Sequence, residues 1–162
     1  MKLRGFIGVL FLAALSACDS QTIETRPFVR GSWHQLLAAH ADKPTIVHFW
    51  GLTCAPCLTE LPHWAEMQRD RPGMNVVMIA SDPASEDTEE LTATLAEAKL
   101  NNVESWAFAD AFHEKLRFEI DPTWRGEMPR TMLIGRDGKA RVMSGVADLQ
   151  EIRNWYDAQT KS

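Results

Sequence analysis

The residues whose types and spacing could do chemistry stand in "FWGLTCAPC" at residues 49–57, where two residues separate Cys54 from Cys57. Such a pair can ligate a metal, close a structural disulfide, or exchange electrons with another protein. A structural zinc site normally needs four ligands, often two cysteine pairs. The sequence has no second pair, and only His48 and His63 are nearby in sequence. Electron exchange is therefore favoured, with zinc and a purely structural disulfide as the alternatives.

The sequence around the pair predicts where the two thiols lie. The apolar, β-branched run "TIVHFW" at residues 45–50 has the pattern of a buried central strand, and helical spacing begins at Cys54. A thiolate at a helix N-terminus faces free amides and the positive end of the helix dipole, which lowers its pKa below about 8.5. Cys54 is therefore the predicted nucleophile. Cys57, one helical turn further on, can form a disulfide with it and suits the resolving step.

Helical and strand patterns alternate along the rest of the chain. Ser32 is a candidate N-cap, because its hydroxyl can accept from the free amides of a following helix. Pro62 is expected to kink the helix that carries the cysteines. The acidic residues 86–90 stand where a helix dipole favours negative charge, and they indicate a helix start rather than a partner site.

The order of the later elements predicts a fold class. Strands are expected at "MNVVMIA" and "VESWAF", and helices at "SEDTEELTATLAEAKL" and "FHEKLRF", in the order strand, helix, strand, helix. Two strands joined by an Asp-Gly turn follow at "PRTMLIG" and "ARVMSG", and a closing helix ends near Gln159. This order predicts one mixed α/β domain over residues 32–160, with the cysteine pair where a central strand meets a helix.

The first seventeen residues are predicted to be an export signal. Lys2 and Arg4 precede the apolar stretch "GFIGVLFLAA", which is shorter than the roughly 20 residues that span a bilayer. The following "LSAC" resembles the bacterial lipobox, in which the cysteine, here Cys18, is lipidated and becomes the mature first residue. A simple signal or short anchor with an incidental cysteine is the alternative. With Cys18 lipidated, the other two cysteines remain a pair in an oxidising compartment.

Residues 18–31 are predicted to be a polar tether that reaches on the order of 20 Å from the membrane. The formal net charge is −5, and the signal removes Lys2 and Arg4 but no acidic residue. A mature domain this acidic is a poor candidate for nucleic acid, so its membrane attachment would come from the lipid. Asp19 resembles the signal that retains lipoproteins in the inner membrane, facing the periplasm.

Two segments together resemble the membrane-anchored thioredoxin-like family of TlpA and ResA type. They are "VHFWGLTCAPCLTELP" and "EMPRTMLIGRDGKARVMSG", and the resemblance covers roughly residues 28–159. Its most specific part is the spacing of Cys54, Cys57, Glu60 and Pro62. The resemblance implies a thioredoxin fold, in which a central mixed β-sheet is flanked by helices. It also implies an extra helix and strand, at about residues 85–109, before a cis-proline loop.

The family also implies roles for individual residues. Pro129 would be cis and lie against the thiols, while Met128 would offer its backbone to an extended substrate; an ordinary trans turn proline is the alternative. Glu60 would lie near the thiols and move protons or tune their pKa, and the alternative is an exposed helix glutamate. His63 is expected to be a solvated helix residue, and no cofactor or metal is expected.

Two positions depart from the family pattern. Thr53 stands where a tryptophan usually precedes the first cysteine, and Arg130 stands where a threonine usually follows the cis-proline. Arg130 could stabilise the Cys54 thiolate by its charge or point into solvent, and both remain open. Partner choice and redox potential are the properties that these two positions affect.

These features predict a lipid-anchored thiol:disulfide oxidoreductase that reduces disulfides in exported proteins. The family suggests apocytochrome c as a substrate and a membrane protein as the electron donor. A disulfide-forming oxidant of the same fold is the nearest alternative, but "CAPC" has no histidine to stabilise a reduced thiolate. A peroxidase would need threonine or serine at Gly51. A Sco-type copper-binding module could use His113, although it places three residues between its cysteines.

Overall fold

A six-stranded mixed sheet forms the centre of the computed structural model, which describes residues 23–161 apart from the side chains of residues 84 and 85. Its spatial order is β1-β4-β3-β2-β5-β6. The first four of these strands pair in parallel, β5 pairs antiparallel with β2, and β6 pairs antiparallel with β5. The bounds are β1 Thr25–Phe28, β2 Thr45–Trp50, β3 Asn75–Ala80, β4 Glu104–Phe108, β5 Arg130–Ile134 and β6 Ala140–Ser144.

In the described part of the chain, five α-helices cover the two faces of the sheet. Their bounds are α1 Ser32–Ala39, α2 Ala55–Asp70, α3 Thr88–Glu97, α4 His113–Ile120 and α5 Leu149–Thr160, with a short 3-10 helix at Pro83–Glu86. Buried residues of α2, α3 and α5 share one core cluster with Cys57, and we call this side of the sheet the thiol face. Buried residues of α1 and α4 form a second cluster on the opposite face.

The position of strand β2 inside the sheet explains why its sequence is largely apolar. All six of its residues are buried. Ile46 and Trp50 face the thiol side, while Val47 and Phe49 pack on the opposite side, because successive side chains of a strand alternate between faces. A strand buried on both faces reads as a continuous apolar run. The predicted central strand is confirmed, and so is the mixed α/β class.

The sequence prediction was wrong at the start of the domain. Residues 25–28, expected within the polar tether over 18–31, form strand β1, which pairs in parallel with β4. Pro27 is compatible with this strand because β1 lies at the edge of the sheet, where a missing amide leaves no internal ladder bond broken. The folded domain therefore begins before residue 32.

One local detail also differs from expectation. Gly31 occupies the cap position of α1, with φ of 88°, and Ser32 instead accepts a hydrogen bond from the Val29 amide at 3.0 Å. Pro62 lies inside α2, which continues as one helix to Asp70. The acidic helix start is confirmed, because Asp87 caps α3 by accepting from the Glu90 amide.

Within residues 23–161, no helix is both long enough and apolar enough to cross a membrane. The predicted export signal over 1–17, Cys18 and Asp19 lie outside the described residues.

Candidate active site

Cys54 and Cys57 form a disulfide at the start of α2, with their Cα atoms 5.2 Å apart. Cys54 is the N-cap residue of the helix and is partly exposed. Cys57 is fully buried in the cluster of the thiol face. The pair therefore presents one accessible residue and one shielded residue, as the position of each in the helix predicts.

The loop before α2 carries Cys54 out of the end of strand β2. The Cys54 amide donates to the Gly51 carbonyl oxygen at 3.2 Å, and the Leu58 amide donates to the Cys54 carbonyl oxygen at 3.1 Å. The second bond begins the helical ladder at Cys54. The amides of the first helical turn are left without carbonyl partners in their own helix, which favours a negative charge at this end.

A cis peptide bond joins Met128 to Pro129, immediately before strand β5. Met128 and Cys54 both pack against the thiol-face cluster, of which Cys57 is a member. The Pro129 carbonyl oxygen accepts from the Gly145 amide at 2.8 Å. The structure thus packs Met128 and both cysteines against one core cluster, and the cis bond joins Pro129 to Met128.

Glu60 is buried, with only 4% of its surface exposed, so the exposed-glutamate alternative is wrong. Its Oε1 lies 3.0 Å from His48 Nε2 of β2 and accepts from Trp64 Nε1 at 3.2 Å. Its Oε2 accepts from the Ala147 amide at 3.1 Å. His48 in turn bonds through Nδ1 to Thr131 Oγ1 at 3.0 Å.

The surroundings of Glu60 set the direction of its pKa. Burial on its own raises the pKa of this carboxyl, but the hydrogen bond and charge of His48 and the donors from Trp64 and Ala147 outweigh it. The pKa of Glu60 therefore lies below its usual value of 4.5. Glu60 is ionised at neutral pH. Sequence reasoning did not identify His48 as its partner, because the contact depends on the packing of α2 on β2.

Arg130 follows neither of the two predicted arrangements. It is 5% exposed, so it does not point into solvent. It forms an ion pair with Asp121, and its guanidinium lies 5.3 Å from the centre of the Trp124 ring. Trp124 belongs to the cluster opposite the thiol face. Thr131 bonds to His48, whose other ring nitrogen approaches Glu60 of α2 on the thiol face. Neighbouring residues of a strand face opposite sides of the sheet, so Arg130 points away from the thiols.

Thr53 and Asp82 make a contact that sequence reasoning missed. Asp82 lies just after β3 and is 1% exposed. Its Oδ2 accepts from the Thr53 amide at 2.7 Å and from Thr53 Oγ1 at 2.8 Å. An aspartate directly before a proline reads as a turn residue, and the sequence has no local signal that it faces a loop 29 residues earlier.

Of the three histidines considered as metal ligands, His48 contacts Glu60 and Thr131, and the other two lie outside this network. His63 is exposed on α2, 3.6 Å from Glu66. His113 belongs to α4, on the opposite side of the sheet, and packs edge-on against Phe108. Across residues 23–161, no three or more cysteine, histidine, aspartate or glutamate residues group as a metal site. The zinc and copper alternatives have no ligand set in this part of the chain.

Comparison with known proteins identifies the fold. No protein-family model matches the chain, and no curated protein matches it in sequence. Its structure matches a secreted disulfide oxidoreductase of Mycobacterium tuberculosis, described as homologous to E. coli DsbE, with a TM-score of 0.59. The match covers 75% of this chain and 85% of that one, at 19% identity. The chain has the thioredoxin fold.

Two further thioredoxin-fold neighbours have known structures. A thiol:disulfide interchange protein of Chlorobium tepidum matches with a TM-score of 0.58 and 17% identity, covering 76% of this chain and 83% of that one. StoA of Bacillus subtilis matches with a TM-score of 0.52 and 19% identity, covering 71% and 83%. At these identities the structural matches establish the fold alone. The chemistry of the site must be argued from its own residues.

Proposed function

We propose that this protein is an extracytoplasmic thiol:disulfide oxidoreductase that works through Cys54 and Cys57. One observation carries the proposal: a disulfide at a helix N-terminus joins a partly exposed cysteine to a fully buried one. The names of two neighbours, a disulfide oxidoreductase and a thiol:disulfide interchange protein, support the same chemistry.

The reaction begins with the reduced pair. The Cys54 thiolate attacks one sulfur of a substrate disulfide, forms a mixed disulfide and releases the other substrate sulfur as a thiolate. The Cys57 thiolate then attacks Cys54 Sγ, which closes the Cys54–Cys57 disulfide and releases the second substrate thiol. Two electrons pass to the substrate, and a dithiol donor restores the pair by the reverse steps.

Met128 and Pro129 are proposed to hold the substrate beside Cys54. Met128 packs against the same cluster as Cys54, and its cis bond to Pro129 precedes an antiparallel strand. An extended peptide can gain affinity from main-chain hydrogen bonds while its side chains remain variable. This arrangement suits an enzyme that acts on disulfides in more than one protein.

Glu60 is proposed to tune the thiols rather than deliver protons. It lies one helical turn beyond Cys57, both of its oxygens have close partners, and its pKa is lowered. An ionised carboxylate near a thiol disfavours the thiolate and raises the thiol pKa. This effect supports a reducing pair, because stabilisation of the reduced thiolate makes such a pair a stronger oxidant.

The finer assignment is a lipid-anchored reductase of TlpA and ResA type in the periplasm. It is supported by the lipobox-like "LSAC" that ends at Cys18, by Asp19, and by the absence of histidine in "CAPC". Apocytochrome c, among other exported proteins, is the proposed substrate. A membrane electron-donor protein is the proposed partner for re-reduction. The proposed cycle of this protein uses no nucleic acid and no bound cofactor.

Reduction of a model disulfide protein tests the function and its direction. The reduced soluble domain, lacking residues 1–18, should reduce insulin, and Cys54→Ala should abolish that activity. In glutathione buffers the pair should have a potential of roughly −220 to −280 mV. A potential above about −180 mV would support the oxidant alternative, and a wild-type domain with no exchange at all would refute the proposed function.

A further inference from the structure

Asp82 is a buried carboxyl group to which the exchange steps described above assign no role. Its Oδ2 has two donors, both from Thr53. Its Oδ1 is buried and has no hydrogen-bond partner among the described residues. A buried polar oxygen without a partner is unfavourable, so its presence needs a reason other than packing.

The position of Asp82 relative to the nucleophile suggests that reason. Thr53 directly precedes Cys54, and its amide lies 2.7 Å from Asp82 Oδ2. Standard bond lengths therefore place this oxygen at most about 8 Å from the Cys54 Cα atom. A Cβ atom at Gly51 would overlap the Asp82 carboxyl group, so glycine at this position permits the close approach.

The residue before Asp82 contacts the other side of the site. Ser81 is also buried, and its hydroxyl donates to Met128 Sδ at 3.1 Å. The end of β3 therefore contacts both segments that flank the disulfide: the loop before Cys54 through Asp82, and the cis-proline loop through Ser81. A change at this point can alter the site without altering the cysteines.

The other charged groups leave Asp82 without compensation. No lysine, arginine or histidine within residues 23–161 forms an ion pair with it. Arg130 pairs with Asp121 on the opposite face, and His48 pairs with Glu60. Neither of these ion pairs includes Asp82, so no cation among the described residues offsets its carboxyl group.

We propose that Asp82 is a positioning residue that fixes the loop carrying Cys54 and keeps the pair reducing. The inference rests on the proposed oxidoreductase function. Asp82 holds the loop through the amide and hydroxyl of Thr53, the residue that replaces the usual tryptophan. Its negative charge disfavours the Cys54 thiolate, which destabilises the dithiol form relative to the disulfide.

Two variants of the full-length protein, purified in detergent, separate charge from position. Asp82→Asn retains an oxygen acceptor and removes the charge. It should move the Cys54 thiol titration to lower pH and shift the equilibrium with glutathione toward the dithiol form by about fivefold. Thr53→Val removes the hydroxyl donor and keeps the charge. It should slow attack on insulin by about threefold or more and leave the glutathione equilibrium near wild type.

Matched controls use exposed residues on α2. Asp70→Asn makes the same charge change at the far end of the helix, and Thr59→Val removes a hydroxyl that bonds only to the Ala55 carbonyl oxygen. Both controls should behave as wild type. Thr53→Ser retains the hydroxyl and should restore most of the rate lost in Thr53→Val.

The outcomes distinguish the inference from the proposed function. Wild-type protein that fails to exchange disulfides refutes the function, whatever the variants do. An active wild type with an unchanged thiol titration and equilibrium in Asp82→Asn overturns the charge role, and a wild-type rate in Thr53→Val overturns the positioning role. If Asp82→Asn does not fold, Thr53→Val decides the positioning role, and a wild-type rate in that variant overturns it.

Discussion

The two cysteines lie in different surroundings although only two residues separate them. Cys54 caps the helix and is partly exposed, whereas Cys57 is fully buried. An incoming disulfide can therefore reach Cys54 but not Cys57. The helix N-terminus also favours the Cys54 thiolate. Exposure and electrostatics assign the same residue as the attacking thiol.

Substitution of each cysteine tests this division of labour. Cys57→Ala should accumulate a mixed disulfide between Cys54 and its substrate, because no thiol remains to displace the bound partner. Cys54→Ala should abolish exchange and trap much less. Non-reducing electrophoresis and mass spectrometry of complexes from the native host would measure both and would identify the partner. Efficient trapping through Cys57 in Cys54→Ala would contradict the assignment.

Glu60 joins three elements of the fold. It extends from α2, approaches His48 of β2, and accepts from the amide of Ala147 just before α5. Its lowered pKa means that the folded protein binds the proton less tightly than the unfolded chain does. The stability that the ionised group contributes is present above the unfolded pKa and is lost as pH falls through the lower, folded pKa.

Acid unfolding should therefore depend on Glu60. Glu60→Gln should lower the free energy of unfolding at pH 7 by about 1–3 kcal/mol, since a buried network loses its charged acceptor. The variant should then lose less additional stability between pH 7 and pH 4 than wild type does. Urea unfolding at both values measures this, with Glu66→Gln, an exposed residue of the same helix, as the control. Equal pH dependence in wild type and Glu60→Gln would contradict the expectation.

The Glu60→Gln variant also tests the tuning role. Without the carboxylate charge, thiol titration should move to lower pH, and insulin reduction should slow because the pair becomes less reducing, while circular dichroism shows an intact fold. Unchanged titration and an unchanged rate would leave Glu60 with a structural role alone.

At the scale of the whole molecule, the proposed attachment to the membrane would come from a lipid on Cys18. No helix within residues 23–161 can span a membrane, and the chain is acidic, which disfavours adsorption to anionic lipid. A lipid on Cys18 would hold the domain on a segment of only a few residues before strand β1, which begins at Thr25. The active site would then work close to the membrane surface.

Cys18→Ala should release the protein from membranes or block its processing. Fractionation of the native host measures release, and mass spectrometry of the mature N-terminus identifies the modified residue. Wild-type protein should fractionate with the inner membrane. An unmodified N-terminal residue other than Cys18, or recovery in the outer membrane, would contradict the anchoring proposal.

The features that the sequence determined by itself are those encoded in neighbouring residues. The cysteine spacing, the apolar run of β2, the acidic start of α3 and the Asp-Gly hairpin each follow from local periodicity or turn chemistry. The tertiary structure alone decided contacts between residues far apart in the sequence. These are the pairing of β1 with β4, the burial of Glu60 against His48, the turn of Arg130 toward Trp124, and the bond from Thr53 to Asp82. They depend on which strands become neighbours and on which face each side chain takes, and a shift of one residue in strand register reverses that face.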